Sequence, residues 1–325
     1  MVLRSFCLPV YAVLSLVASC KTGAATSDAQ GGIDAPGTGV DASPPMPLGC
    51  VDNVSAGNHD YTCEGLAVNA QIPARCLAPG CGLILQIHGD TGNGALMDAN
   101  TNLRALGDAN GYIVLSPTGP LFGQGYPGST WTPAQDAKLV ALTQAFVSVF
   151  RVDDKRIHAT GFSRGGFVAW RMLCDHADLF ASVAPAAAGD GNGEITCFNN
   201  GRAPSRQADI LFLMGRTDNP VPFSTMVSIR NGAVTKYGAM AQPAVSSDAN
   251  YVHNRWTTAS GAVIEAFEHS YETEPTGPWG DARGHCFPGS TLDPFAPQYA
   301  VPCKGPNAFI WGQAVMKFFQ AHPKR

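Results

Sequence analysis

The chain has 325 residues, 45% of them hydrophobic and only 14% charged. That is enough apolar material for one large core, and it excludes a chain disordered throughout. The net charge of −4 argues against nucleic acid as a partner, which would call for a basic patch.

Residues 1–20 read MVLRSFCLPVYAVLSLVASC, with Arg4 ahead of an apolar run and a small-residue exit. This is the pattern of a secretory signal, too short and too abruptly ended for a comfortable transmembrane helix. The exit Val17-Ala18-Ser19-Cys20 resembles the lipobox of bacterial lipoproteins. By that resemblance residues 1–19 are removed and a lipid on Cys20 tethers the chain to a membrane surface without spanning it. The alternative is an ordinary cleaved signal. Residues 20–49 are rich in Gly, Ala, Ser, Pro and Asp and form a flexible linker, whose ends would lie roughly 30 Å apart. One domain, residues 50–325, then carries the fold.

Behind the signal and Cys20 stand eight cysteines, an even count that suggests disulfides in an oxidising compartment. Pairing each with its nearest neighbour gives Cys50–Cys63, Cys76–Cys81, Cys174–Cys197 and Cys286–Cys303. No C-x-x-C and no zinc-finger histidine spacing occurs, so neither a metal nor another cofactor is expected.

In chain order, residues 50–73 suggest an early edge strand or hairpin. CGLILQIHG, 81–89, is a continuous apolar run of the kind found in buried parallel strands. A glycine-rich loop, GDTGNGA, follows it. Residues 97–111 predict one helix ending at Gly111. YIVLSP, 112–117, is the next strand, and 118–135 a long loop containing Trp131. Residues 136–150 predict an amphipathic helix. RIHATGFSRGGFVAW, 156–170, reads strand, sharp turn, helix. Strands follow at 182–189, 209–215 and 262–270, with a helix between the last two. A long loop containing Trp279 then leads to a closing helix. Alternating strands and helices imply an α/β fold with a mostly parallel central sheet and helices on both faces.

The turn at 161–165 holds Gly-Phe-Ser-Arg-Gly. Such a turn strains the serine backbone and exposes its hydroxyl, and small flanking residues avoid collisions across it. Ser163 is therefore the expected nucleophile, at the positive end of the following helix. Chemistry in open α/β sheets gathers beyond the carboxyl ends of strands. Asp218 follows the 209–215 strand and His285 lies in the loop after 262–270. His285 is read as the general base, with Asp218 fixing its tautomer. His253, His269 and His322, and the carboxylates Asp209 and Asp281, are the rivals. The oxyanion hole is assigned to the N–H of Arg164 and to that of Asp90 or Thr91. The Asp90 carboxylate would repel an oxyanion and is expected to turn away into hydrogen bonds. Trp131 and Trp279 are candidate substrate-gripping residues at the rim, or else loop anchors.

HGDTGNG, GFSRGG, TDNPVPF and GHCFPG, in this order over roughly residues 60–320, resemble the secreted polyhydroxybutyrate depolymerase and feruloyl esterase group of α/β-hydrolases. The resemblance implies the α/β-hydrolase fold and an exported serine esterase with Ser163, Asp218 and His285 as its triad. It implies a polymeric or bulky ester as substrate, polyhydroxyalkanoate first and feruloyl or acetyl esters of plant polysaccharide next. No obligate protein partner is expected. Two positions depart from the group's pattern: Arg164 where Asn is frequent, and Cys286 where Thr is frequent. A non-catalytic surface binding protein on the same fold, and a peptidase, are the other readings.

Overall fold

The computed structural model describes residues 43–123, 126–190, 193–273, 282–292 and 301–325. The signal, Cys20, most of the linker, Trp279 and Asp281 lie outside them. No helix among the described residues is long and apolar enough to cross a membrane.

The early hairpin is β1 (Gly57–Cys63) and β2 (Leu66–Ile72), paired antiparallel. The apolar runs become β3 (Gly82–Ile87), β4 (Tyr112–Thr118), β7 (Ile157–Phe162), β8 (Ser182–Ala186), β9 (Asp209–Gly215) and β13 (Val263–His269). Pairs β3/β4, β3/β7, β7/β8, β8/β9 and β9/β13 are all parallel. These six strands are covered on both faces, which is why they read as unbroken apolar runs.

Helices α1 (Gly94–Thr101), α2 (Leu103–Asn110) and α6 (Trp311–Ala321) cover one face. Helices α3 (Asp136–Phe150), α4 (Arg164–His176) and α5 (Phe223–Tyr237) cover the other. The period of two along each strand sorts side chains between two cores. Leu83, Leu85, Ile157, Phe212 and Met214 pack with Phe146, Trp170 and Ile229. Ile84, Val114, Leu211 and Leu213 pack with Leu103, Trp311 and Phe319. Trp170 is fully buried, and its Nε1–H donates to the Ala188 carbonyl at 3.2 Å. Burying an aromatic of this size contributes on the order of 3 kcal/mol, so it pins α4 firmly under the sheet.

Three local expectations change. The single helix over 97–111 is two helices, because Asn102 takes a left-handed φ of 56° and the Asp98 carboxylate caps the Arg104 N–H at 2.7 Å. The loop over 118–135 contains a small hairpin, β5 (Leu121–Gly123) and β6 (Tyr126–Ser129), bridged to Gly92. Beyond β13 the sheet continues with antiparallel β12 (Tyr251–Thr257), which pairs with short β10 (Met240–Ala241) and β11 (Ser246–Ser247). Strand β12 has no clean apolar alternation. Its position rests on pairing with β13, on the contact of His253 with Glu265 and on the ion pair of Arg255 with the same carboxylate.

The full strand order is β1-β2-β4-β3-β7-β8-β9-β13-β12-β10. From β3 the chain first goes to β4 on one side and later to β7 on the other. The switch point thus lies between the carboxyl ends of β3 and β7, where open α/β sheets place their chemistry. All four nearest-neighbour disulfides are formed: Cys50–Cys63, Cys76–Cys81, Cys174–Cys197 and Cys286–Cys303. The Cys174–Cys197 bond closes 23 residues and by loop entropy contributes about 3 kcal/mol.

Candidate active site

Ser163 caps α4 with φ 52° and ψ −119°, a conformation that side chains rarely adopt. Its N–H donates to Ala186 O at 2.9 Å and its carbonyl accepts from Phe167 N–H at 3.1 Å, so neighbouring elements hold the strain in place. The glycines on either side are required by space. A Cβ on Gly161 would lie 2.2 Å from Gly165 O, and one on Gly165 would lie 2.1 Å from Ile87 O. We expect Gly165→Ala to lower stability by about 3 kcal/mol through this overlap with main chain that cannot yield. A thermal melt unchanged from wild type would contradict that packing.

Asp218 sits in the turn after β9, its carboxylate fully buried. One oxygen accepts the Val221 N–H at 2.8 Å, and the other is 2.8 Å from His285 Nδ1. The ionised carboxylate can only accept, so Nδ1 carries the hydrogen and Nε2 keeps its lone pair. The His285 ring packs at a tilt against Phe162, the residue before the serine, with ring centroids 4.7 Å apart. The next aromatic in the loop, Phe287, stacks on Phe162 at 4.1 Å. A bridge between Asp218 and Arg283, another between Phe287 and Pro302, and the Cys286–Cys303 disulfide tie down the histidine loop. Residues far apart in sequence are thus gathered at one turn.

The rival groups have other partners. His253 is paired with Glu265 at 2.8 Å, and His322 lies 3.3 Å from Asp209, which also holds Arg325. His269 is buried, which depresses its pKa to about 4. Among the described residues it also forms, with Cys286 and Cys303, a close group of possible metal donors. Those two sulfurs are bonded to each other, so neither is a thiolate that could ligate an ion.

The loop after β3 approaches the serine directly: a Cβ on Gly89 would lie 3.2 Å from Ser163 Cβ. Arg164 is the first residue of α4, so its N–H has no partner within the helix. Of the other two candidate donors, Thr91 is corrected. Its N–H donates to Ser129 O at 2.7 Å, inside the bridge to the β5–β6 hairpin, and is not free for an oxyanion. The assignment narrows to Asp90. The Asp90 carboxylate accepts from the Thr130 hydroxyl and faces Arg164 Nε at 3.4 Å.

Trp131 is also corrected. It is fully buried, its Nε1–H donates to His88 O at 3.1 Å, and its ring lies 5.0 Å from that of His88. It anchors the end of β3 and cannot line a rim. Trp279 lies outside the described residues. His88 itself is a participant that sequence reasoning passed over. Its Nδ1 meets Gly89 O at 2.6 Å and its Nε2 accepts the Gly119 N–H at 3.0 Å. Burial holds it neutral, with a pKa near 4. A neutral imidazole is the one ring that can donate from one edge and accept at the other, and here it braces the loop after β3 from beneath. Its signal was the His-Gly pair at a strand end.

A bifunctional acetylxylan esterase/xylanase from Neocallimastix patriciarum is 29% identical over 135 residues, 40% of this chain and 19% of that protein. Feruloyl esterase B from Piromyces equi is 30% identical over 167 residues, 48% of this chain and 30% of its own length. The chain therefore spans less than a third of either relative. Among solved structures, an acetyl xylan esterase from Aspergillus awamori superposes with a TM-score of 0.53 at 17% identity. That likeness covers 66% of this chain and 93% of the other, and it is one of fold. Residues 85–312, the segment holding the nucleophile turn, Asp218 and His285, match the model of the alpha/beta hydrolase family, and the chain belongs to that family.

Proposed function

We propose that this chain is an exported serine esterase that removes acetyl or feruloyl groups from plant polysaccharide through an acyl-enzyme. The observation that carries the reading is the strained Ser163 turn with the Asp218–His285 hydrogen bond packed against it through Phe162. In this mechanism His285 Nε2 takes the Ser163 proton as Oγ attacks the ester carbonyl carbon. Asp218 stabilises the imidazolium that results. The N–H groups of Arg164 and Asp90 receive the oxyanion. Collapse breaks the bond to the alcohol oxygen, which leaves with the proton from His285. Water then enters by the same route and releases the acid.

The substrate class is supported by relatives that act as acetylxylan and feruloyl esterases. The order of motifs supports polyhydroxyalkanoate as a second reading. The four disulfides support export, and the Cys20 lipid tether belongs to the same proposal. The test is acid release from acetylated xylan, feruloylated xylan and polyhydroxybutyrate, assayed side by side with Ser163→Ala as control. Acetate or ferulate should appear and depend on Ser163. Faster release of hydroxybutyrate would reverse the order of substrates, and peptide cleavage alone would remove the esterase reading. Fractionation of the producing cells with and without detergent reads the Cys20 tether.

A further inference from the structure

Sequence reasoning gives Arg164 a part in catalysis through its N–H alone. In the fold its guanidinium is held from two sides. Nε lies 3.4 Å from Asp90 Oδ2, and NH1 donates to Glu194 Oε1. Glu194 is anchored in turn, its Oε2 accepting from Arg171 NH1 at 3.0 Å. Arg171 is only 2% exposed, and its other edge makes two bonds to the Asp136 carboxylate, at 2.7 and 2.9 Å. At the far end the Thr130 hydroxyl donates to Asp90 Oδ1. An unbroken line of charge therefore runs from the loop after β3, along the first two turns of α4, to the start of α3.

Two features of this line bear on chemistry more than on stability. Its half-buried members are partly screened by water and would add little to folding. Yet the two residues at its centre, Asp90 and Arg164, are the ones whose N–H groups are assigned to the oxyanion. A side-chain ion pair between them sets the spacing of those two donors. It also neutralises a carboxylate standing on the very residue that must receive negative charge, where an unpaired anion would oppose the transition state. Burial works against the charge of Arg164, but Asp90 and Glu194 outweigh it and raise its pKa, so the guanidinium stays charged.

We infer that the Asp90–Arg164 ion pair, backed by Glu194 and Arg171, is a positioning brace across the oxyanion hole. The inference rests on the esterase reading, and the experiment separates the two. Full-length wild type, Ser163→Ala, Arg164→Gln, Arg164→Lys, Asp90→Asn and the double variant Arg164→Gln/Asp90→Asn are compared on p-nitrophenyl acetate, each with a thermal melt.

Arg164→Gln should lower kcat about 30-fold with KM within about twofold, since it both loosens the two donors and leaves a bare Asp90 carboxylate beside the oxyanion, and each of these weakens transition-state binding only. Arg164→Lys keeps the charge without the fork and should recover most of that loss. Asp90→Asn alone should cost only about threefold, because it loosens the brace but also removes the carboxylate that would oppose the oxyanion. The double variant should be faster than Arg164→Gln, since no bare carboxylate is left beside the oxyanion. Arg164→Gln at wild-type kcat, a loss confined to KM or to the melt, or a double variant slower than both singles would each overturn the brace. If Arg164→Gln fails to fold, Arg164→Lys and Asp90→Asn decide: each should lose about threefold in kcat with KM unchanged, and wild-type kcat in both, or a loss in KM alone in both, overturns the brace. Wild-type turnover equal to that of Ser163→Ala would instead overturn the esterase reading, and the brace with it.

Discussion

Ser163→Ala is expected to lower kcat for a short p-nitrophenyl ester by about a millionfold while leaving the melting temperature within a few degrees of wild type. The change deletes one oxygen from a half-buried turn whose backbone is held by Ala186 and Phe167. What remains should be a residual acceleration of roughly a thousandfold over water, supplied by substrate binding and the oxyanion donors. Asp218→Asn makes the companion case. Its amide can still accept the Val221 N–H, yet its NH2 group facing His285 would favour the wrong tautomer, with the hydrogen on Nε2. A loss of about ten-thousandfold in kcat is expected, with KM little changed. The two variants, assayed together, distinguish loss of the nucleophile from loss of the base's orientation. Hydrolysis by Ser163→Ala at the wild-type rate would mean that the reacting oxygen is elsewhere.

The second large effect is acid lability. His88 and His269 are buried and neutral, each with its pKa depressed to about 4. His158 is pushed well below its ordinary value by burial, with Arg156 adding to the effect. It is stacked on Phe319 at 4.5 Å with no room for a hydrated charge. In the unfolded chain all three titrate near 6.5. The sign follows directly. Above about pH 6.5 both states are neutral at these positions and stability is complete. As pH falls toward about 4 the unfolded chain binds up to three protons that the fold refuses, so stability is lost. With three such groups the slope reaches about 4 kcal/mol per pH unit. Asp209 and Glu265, whose pKa values are lowered by burial-offsetting partners, extend the loss to lower pH, while Asp136, raised by burial, opposes it in part. By pH 4 the three groups together remove on the order of 9 kcal/mol, comparable with the about 5–15 kcal/mol that a domain of this kind carries in total, so the fold should be strongly destabilised there. Urea titrations at pH 7.5, 6.0, 5.5 and 5.0 measure this. His158→Phe should reduce the slope by about 1.4 kcal/mol per pH unit. A stability that stays flat from pH 7.5 to 5.0 would mean that water or a rearrangement solvates these histidines.

Part of this molecule could be read without coordinates, and for a physical reason. The buried strands are contiguous apolar runs because both their faces are covered. The turn at Ser163 is legible because five adjacent residues must satisfy one local steric constraint. The disulfides join near neighbours in sequence, where little loop entropy opposes closure. In each case the determining constraint is local, within a strand, a turn or at most 23 residues of chain.

Other features depended on which distant segments meet. Nothing around Thr91 announces that its N–H is taken by Ser129, nor does Trp131 reveal that it lies beneath His88 and not at a rim. Strand β12 lacks an apolar alternation and is placed by its partner β13. The side chain of Arg164 acquires its neighbours only when the loop after β3, the turn after β7 and the segment closed by Cys174–Cys197 converge. Strand runs and sharp turns are dictated by near-neighbour sterics and hydrophobic period. Hydrogen-bond and charge partners are dictated by packing across the sheet, and that is decided only in the folded chain.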